Sequence, residues 1–131
     1  MILVDTSVLI DFFRGGTHPK TEKFREILLN QIPFGITSMI YQEILQGAKD
    51  EAEFKNLKEY LSCQVFYTPE DETTSYEKAA KMYFDLRKKG ITVSSAIDCL
   101  IIQIAKESKL VLLHNDKDYE ALVKISGVNV I

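Results

Sequence analysis

The stretch Ile2-Leu3-Val4-Asp5-Thr6-Ser7-Val8-Leu9-Ile10-Asp11 changes character at Asp5, and the fold class follows from that change. Three apolar residues run straight into an acid, and an amphipathic run then begins. A short unbroken apolar run suits a strand covered on both faces, as in parallel sheets. Thr6 and Ser7 are both good helix-capping residues, so a helix is expected over 8–14, ended by Gly15-Gly16. The unit is strand, turn, helix, with a carboxylate at the join.

The alternation continues outward from this unit. A helix is expected over 19–30, with Phe24, Ile27 and Leu28 on one face, and a strand over 34–37. Ser38 is placed to cap a helix that carries Ile40, Glu43, Ile44 and Gly47 on one side. A further helix is expected over 51–61 and a strand over 64–67. Pro69 followed by Glu70, Asp71 and Glu72 reads as the first turn of a long helix, because proline fits there and negative charge suits the positive end of the dipole. Tyr76, Ala79, Ala80 and Tyr83 would form its apolar stripe, and Gly90 its end. Ser94 and Ser95 precede a helix over 96–105 that is apolar almost all round and hence buried. A strand over 110–113, a helix over 117–125 and a last segment over 128–131 complete the chain. Strands alternating with helices predict a three-layer α/β/α fold in one domain, 1–131, around a central, mostly parallel sheet of about five strands.

Composition excludes several classes. With 46% hydrophobic and 27% charged residues in 131, the chain can bury a core and is not disordered. No run approaches the roughly 20 apolar residues of a membrane span. The opening residues lack the basic lead of a signal peptide, so a cytoplasmic protein is expected. Cys63 and Cys99 each sit in an apolar run and read as reduced core thiols. The net charge of −3 argues against nucleic-acid binding unless the acids are gathered around metal ions.

Four carboxylates stand where a soluble protein has no general use for them. Asp5 ends one buried-looking strand directly, and Asp116 follows another after His114-Asn115. Ligands bind at the carboxyl ends of parallel strands, so Asp5 and Asp116 should share one edge. Asp98 has Ile101, Ile102 and Ala105 as helical neighbours, and Glu43 shares a face with Ile40 and Ile44. An ionised carboxylate in such surroundings is costly unless a cation meets it. Four converging would raise one another's pKa, and a divalent cation with a taste for oxygen, magnesium or manganese, relieves the repulsion. Each acid also has an ordinary structural reading. Asp5 can cap the first helix, Asp98 can open its helix with Ser95, Glu43 can bond backbone, and Asp116 can serve a turn or a cap. These readings do not exclude ligand roles.

At this point the ordered set of motifs resembles the PIN-domain family, specifically the VapC-type toxins of prokaryotic toxin–antitoxin pairs. Val4-Asp5-Thr6-Ser7-Val8-Leu9-Ile10-Asp11 is similar to the family's opening, and Ile40-Tyr41-Gln42-Glu43-Ile44-Leu45-Gln46-Gly47 to its second acidic motif. Ala96-Ile97-Asp98-Cys99-Leu100-Ile101-Ile102 and Leu113-His114-Asn115-Asp116-Lys117-Asp118-Tyr119 resemble the third and fourth. His114 stands where the family usually has Thr or Ser, and Tyr119 where it usually has Phe. The resemblance implies an endoribonuclease dependent on Mg2+ or Mn2+. It assigns Asp5, Asp98 and Asp116 as main ligands and Glu43 as a second-site ligand or the group that orients a water. Thr6 would be a supporting hydroxyl. Asp116 aligns better than Asp118, which is left as a possible supporting acid.

An RNA substrate needs basic residues beside the acids. Arg87-Lys88-Lys89 and Lys117 are the candidates, although positive charge at a helix C-terminus has its own electrostatic reason. The resemblance further implies a small antitoxin partner that folds a tail against the cleft, and a homodimer. Rival readings are weaker. A phosphatase-type aspartate wants a second acid two residues on, where Ser7 stands, and a receiver-like regulatory module wants an adjacent acidic pair after a strand. A PIN fold kept only for binding has no reason to hold four acids. No glycine-rich phosphate loop is present.

Overall fold

Ile2, Leu3 and Val4 form β1 (Ile2–Val4), the middle strand of the sheet in the computed structural model, which describes residues 1–93 and 95–131. Among these residues the order is β1, α1 (Thr6–Phe13), α2 (Pro19–Leu29), β2 (Phe34–Thr37), α3 (Ser38–Gln46), α4 (Glu51–Leu61), β3 (Val65–Tyr67), α5 (Thr74–Lys88), α6 (Ala96–Glu107), β4 (Val111–Leu113), α7 (Tyr119–Ser126) and β5 (Asn129–Val130). The inner strands β1, β2 and β4 are short and almost fully covered, as in parallel sheets, whereas the edge strands β3 and β5 are partly or fully exposed.

The sheet order is β3-β2-β1-β4-β5, and every pairing is parallel. Ile2 lies opposite Phe34 on one side and Val111 on the other. The chain winds outward from β1 through β2 to β3, then crosses back to lay β4 and β5 on the opposite side. The order therefore reverses between β1 and β4, and the carboxyl ends of those two strands bound the crevice. Helices α1, α2, α3 and α4 pack on one another, and α5, α6 and α7 form a second set, giving the expected α/β/α layers.

The core is continuous through both sets. Leu3, Val4, Ile36, Leu112 and Leu113 supply the sheet, with Leu9, Phe24 and Ile40 from one set and Ile101, Ile102 and Ile104 from the other. In α6 all seven residues from Cys99 to Ala105 are buried, and each large aliphatic among them contributes about 2 kcal/mol of burial. Gly35 is required in β2, because a Cβ there would stand 2.4 Å from the Tyr67 ring. Gly127 ends α7 in the left-handed region, at φ 75°, where a side chain is strained.

Several expectations need correction. The long helix begins at Thr74 and not at Pro69. The carboxylate of Asp71 accepts from the Thr73 and Thr74 amides at 2.8 and 2.7 Å, so the acids precede the helix they were expected to open. Its buried face is Ser75, Ala79, Met82 and Leu86, whereas Tyr76 and Ala80 are exposed. Thr37, not Ser38, caps α3 through its hydroxyl. Of the caps offered for α1, it is Asp5 that serves, as its structural reading allowed, and not Thr6 or Ser7. Cys63 is exposed in the turn after α4 and donates to the Glu59 carbonyl, while Cys99 is buried as expected. The His18 Nδ1 accepts from the Lys20 amide and caps α2. Asp11, within the opening motif, ties α1 to α2 by accepting from the Thr21 hydroxyl at 2.6 Å. Ser94 lies outside the described residues.

Candidate active site

Asp5 sits where β1 gives way to α1 and is only 4% exposed. Its amide continues the ladder by donating to the Leu113 carbonyl at 3.0 Å. Its Oδ2 accepts from the Ser7 amide at 3.0 Å and the Ser7 hydroxyl at 2.7 Å, and its Oδ1 accepts from the Tyr119 hydroxyl at 2.8 Å. A carboxylate has about four lone-pair sites. Three are filled here, and the remaining one is on Oδ1. Ser7 in turn accepts from the Asn115 amide at 2.9 Å, which joins the turn after β1 to the turn after β4.

Asp98 is the third residue of α6, whose cap is the Ser95 hydroxyl. Its Oδ1 lies 3.3 Å from the Tyr119 hydroxyl, so Asp5 and Asp98 stand on either side of one phenol oxygen. Burial, and then the charges of Asp5 and Asp116, push its carboxyl up to about 6, with the nearby Tyr119 hydroxyl pulling the other way. Glu43, half-buried on α3, is raised by burial and by Asp5. The charges of Asp5, Asp116 and Glu43 all act on Asp98, and that of Asp5 acts on Glu43, so the four acids lie within electrostatic reach around Asp98.

Asp116 is half-buried in the turn after β4, and its Oδ1 accepts from the Asp118 amide at 2.9 Å. Asp118 is exposed and serves the turn through that amide. His114 is half-buried; its Nδ1 accepts from the Asp116 amide, and its ring meets Tyr119 edge-on at 5.2 Å. Burial lowers its pKa, although Asp5 and Asp116 oppose this. Tyr119, 1% exposed, is pushed well above the ordinary phenol range by burial and by the Asp5 and Asp98 charges.

Thr6 is buried beside Asp5, and its hydroxyl is the one buried side-chain polar atom without a partner among the described residues. Among those residues the ion pairs are Arg25–Glu22, Lys49–Glu53 and Lys81–Asp85, so no lysine or arginine neutralises the four acids. Among the described residues no three His, Cys, Asp or Glu side chains stand close enough together to hold a metal ion as they are. An all-oxygen donor set, uncompensated charge and an orphaned hydroxyl fit a hard divalent cation.

Arg87 and Lys88, both exposed in the last turn of α5, flank the exposed ring of Phe84 at 5.9 and 5.2 Å, and Lys81 lies 5.0 Å from it. Lys117 is exposed between Asp116 and Asp118. Sequence reasoning missed Ser7 as a holder of Asp5 and Tyr119 as a bridge. The one signal for the latter was its departure from the family's usual Phe.

A parallel sheet with acids gathered at the reversal of its strand order defines an α/β protein whose site lies beyond the ends of β1 and β4. Residues 2–125 match the family model of the PIN domain, and the chain belongs to that family. Among curated proteins it is 28% identical over 129 residues to ribonuclease VapC11 of Mycobacterium tuberculosis and to VapC ribonuclease Mb1587 of Mycobacterium bovis, covering 98% of this chain and 96% of each relative. Among solved structures it resembles VapBC-1 from nontypeable Haemophilus influenzae, with TM-score 0.74 and 19% identity over 100% of this chain and 97% of that one. VapBC2 from Rickettsia felis, bound to a DNA fragment from the promoter, gives TM-score 0.73 and 19% identity over 100% and 98%. The shared fold runs through the whole chain.

Proposed function

We propose that residues 1–131 act as one PIN domain that cleaves RNA phosphodiesters with Mg2+ or Mn2+, as the toxin of a toxin–antitoxin pair. What supports this reading is that Asp5, Glu43 and Asp116 all act on Asp98 through their charge, while no ion pair among the described residues involves any of the four acids. Relatives named as VapC ribonucleases and neighbours named as VapBC complexes support the choice of RNA and of an antitoxin partner.

Asp5, Asp98 and Asp116 would hold the ion, with Glu43 as a further ligand or as the group that orients the attacking water. A bound divalent ion supplies Lewis acidity and makes its water a nucleophile near neutral pH. The protein fixes Asp5 on both oxygens, so that carboxylate costs no reorganisation during the reaction. Glu43, with its raised proton affinity, suits the acceptance of a proton. Thr6 offers its free hydroxyl to a bound water.

Arg87 and Lys88 attract the phosphate backbone while Phe84 offers a face to an unpaired base, and Lys117 stands beside the acids. The antitoxin tail would enter the groove of about 940 Å3 between α1, α3 and α4, whose lining includes Phe13, Arg14, Glu43 and Tyr60. Homodimerisation and a cytoplasmic location belong to the same reading. No helix of the described residues is long and apolar enough to cross a membrane.

The test is cleavage of single-stranded and structured RNAs with Mg2+, Mn2+ or EDTA, beside Asp5→Asn and Asp98→Asn. Cleavage that needs metal and both acids is expected. Equal activity in the variants, or in EDTA, would refute the mechanism. RNA binding without cleavage under every metal would favour a non-catalytic binding module.

A further inference from the structure

Tyr119 is the first residue of α7, yet its hydroxyl reaches two other elements. It meets Asp5 at the end of β1 at 2.8 Å and Asp98 in the first turn of α6 at 3.3 Å. The ring is 1% exposed and packs edge-on against His114, so the oxygen is located by packing rather than by the bonds it makes. A phenol carries one hydrogen. The shorter contact takes it, and the longer one leaves the Asp98 oxygen near a dipole but without a full bond. Asp5 is then pinned on both oxygens, while Asp98 is held at a set distance across the same atom.

Phenylalanine, usual at this place in the family, would fill the same volume and leave Asp5 Oδ1 unheld. From this geometry, and resting on the metal reading above, we propose that Tyr119 is a positioning residue that fixes the Asp5 and Asp98 carboxylates at the separation a divalent cation requires. Its hydroxyl acts on the ligands and not on the substrate. Partners of this kind orient ligating groups before the ion arrives, and losing one costs roughly tenfold to a hundredfold in metal affinity.

The experiment is Mn2+ binding to the purified protein without RNA, by calorimetry, in wild type, Tyr119→Phe, Tyr119→Leu and Asp5→Asn. Tyr119→Phe is expected to bind Mn2+ about tenfold or more weakly, to keep its circular dichroism spectrum, and to regain RNA cleavage at raised Mn2+. Tyr119→Leu reports the packing of the ring. If only the Leu variant loses affinity, the ring matters and the hydroxyl does not, which overturns the proposal. Tighter binding by Tyr119→Phe also overturns it, since the hydroxyl would then compete with the ion. Unchanged affinity in Tyr119→Phe with loss in Asp5→Asn sinks the positioning role and leaves the metal reading standing. No Mn2+ uptake by the wild type sinks both.

Discussion

Ser7 and Asn115, 108 residues apart, are joined by a 2.9 Å hydrogen bond from the Asn115 amide to the Ser7 hydroxyl. That hydroxyl simultaneously donates to Asp5, so one side chain sets the distance between two strand ends and the orientation of the buried acid. Ser7→Ala removes both interactions. It is expected to lower stability by about 2 kcal/mol, read by chemical denaturation, and to reduce metal-dependent cleavage more than this loss explains.

Asp98 ties pH to stability. In the fold its proton leaves at about 6, against 3.8 as the ordinary value. Between those values the folded protein retains a proton that the unfolded chain has released. Stability from this group is therefore fully present below about 3.8 and is lost as pH rises through about 6. Glu43 acts in the same direction, while His114, with its lowered pKa, acts in the opposite one. The informative quantity is thus the difference between wild type and Asp98→Asn. In EDTA at neutral pH, Asp98→Asn should melt at a higher temperature than wild type; with Mg2+ the order should reverse. The same order in both buffers would contradict the metal role.

Asp116 and Asp118 separate by exposure. Asp116→Asn should reduce cleavage by more than about a hundredfold, beyond the loss of a mere supporting group. Asp118→Asn should stay within a few-fold, because only the backbone of Asp118 serves the turn. Single-turnover cleavage at saturating Mg2+ compares them directly.

Phe84 is 41% exposed, so Phe84→Ala should leave stability within about 0.5 kcal/mol. On the proposed RNA path it should weaken binding of single-stranded RNA to a cleavage-dead Asp98→Asn background by about 1–3 kcal/mol. Arg87→Ala and Lys88→Ala should instead flatten the salt dependence of binding. Fluorescence anisotropy at several ionic strengths distinguishes the two effects.

Glu107 holds the start of α5. Its carboxylate accepts from the Ser75 hydroxyl, the Gln103 side chain and the Glu70 amide at 2.7, 2.9 and 2.9 Å. Ser75 and Gln103 are buried, and Glu107→Ala leaves both without that acceptor. A loss of about 2–3 kcal/mol in denaturation is expected, with metal affinity unchanged.

The features legible in the sequence are those set by neighbours along the chain. The apolar run at 2–4 and its twins at 34–37 and 110–113 read as covered strands because nothing polar interrupts them. Asp98 stood out because it sits among isoleucines. The misreadings arise where distant contacts decide. Pro69 and its acids look like a helix start, but Asp71 caps the helix from outside, and Glu107 fastens Glu70 from across the layer. The same Glu107 draws Ser75 inward, so the buried face of α5 turns away from Tyr76. Tyr119 escaped notice because its partners lie in other elements, the Tyr119–Asp5 bond spanning 114 residues; Ser7 escaped because its hydroxyl read as a cap for the next helix, while in the fold it turns back two residues to Asp5 and also meets Asn115.

The central strand is β1, but its neighbour β4 is made more than a hundred residues later, and Tyr119 later still. A ribosome translating this message makes Asp5 well before Asp98, Asp116 and the bridging phenol. A nascent chain that has not yet passed Asp116 lacks one of the four acids, so the site cannot form on its first 115 residues.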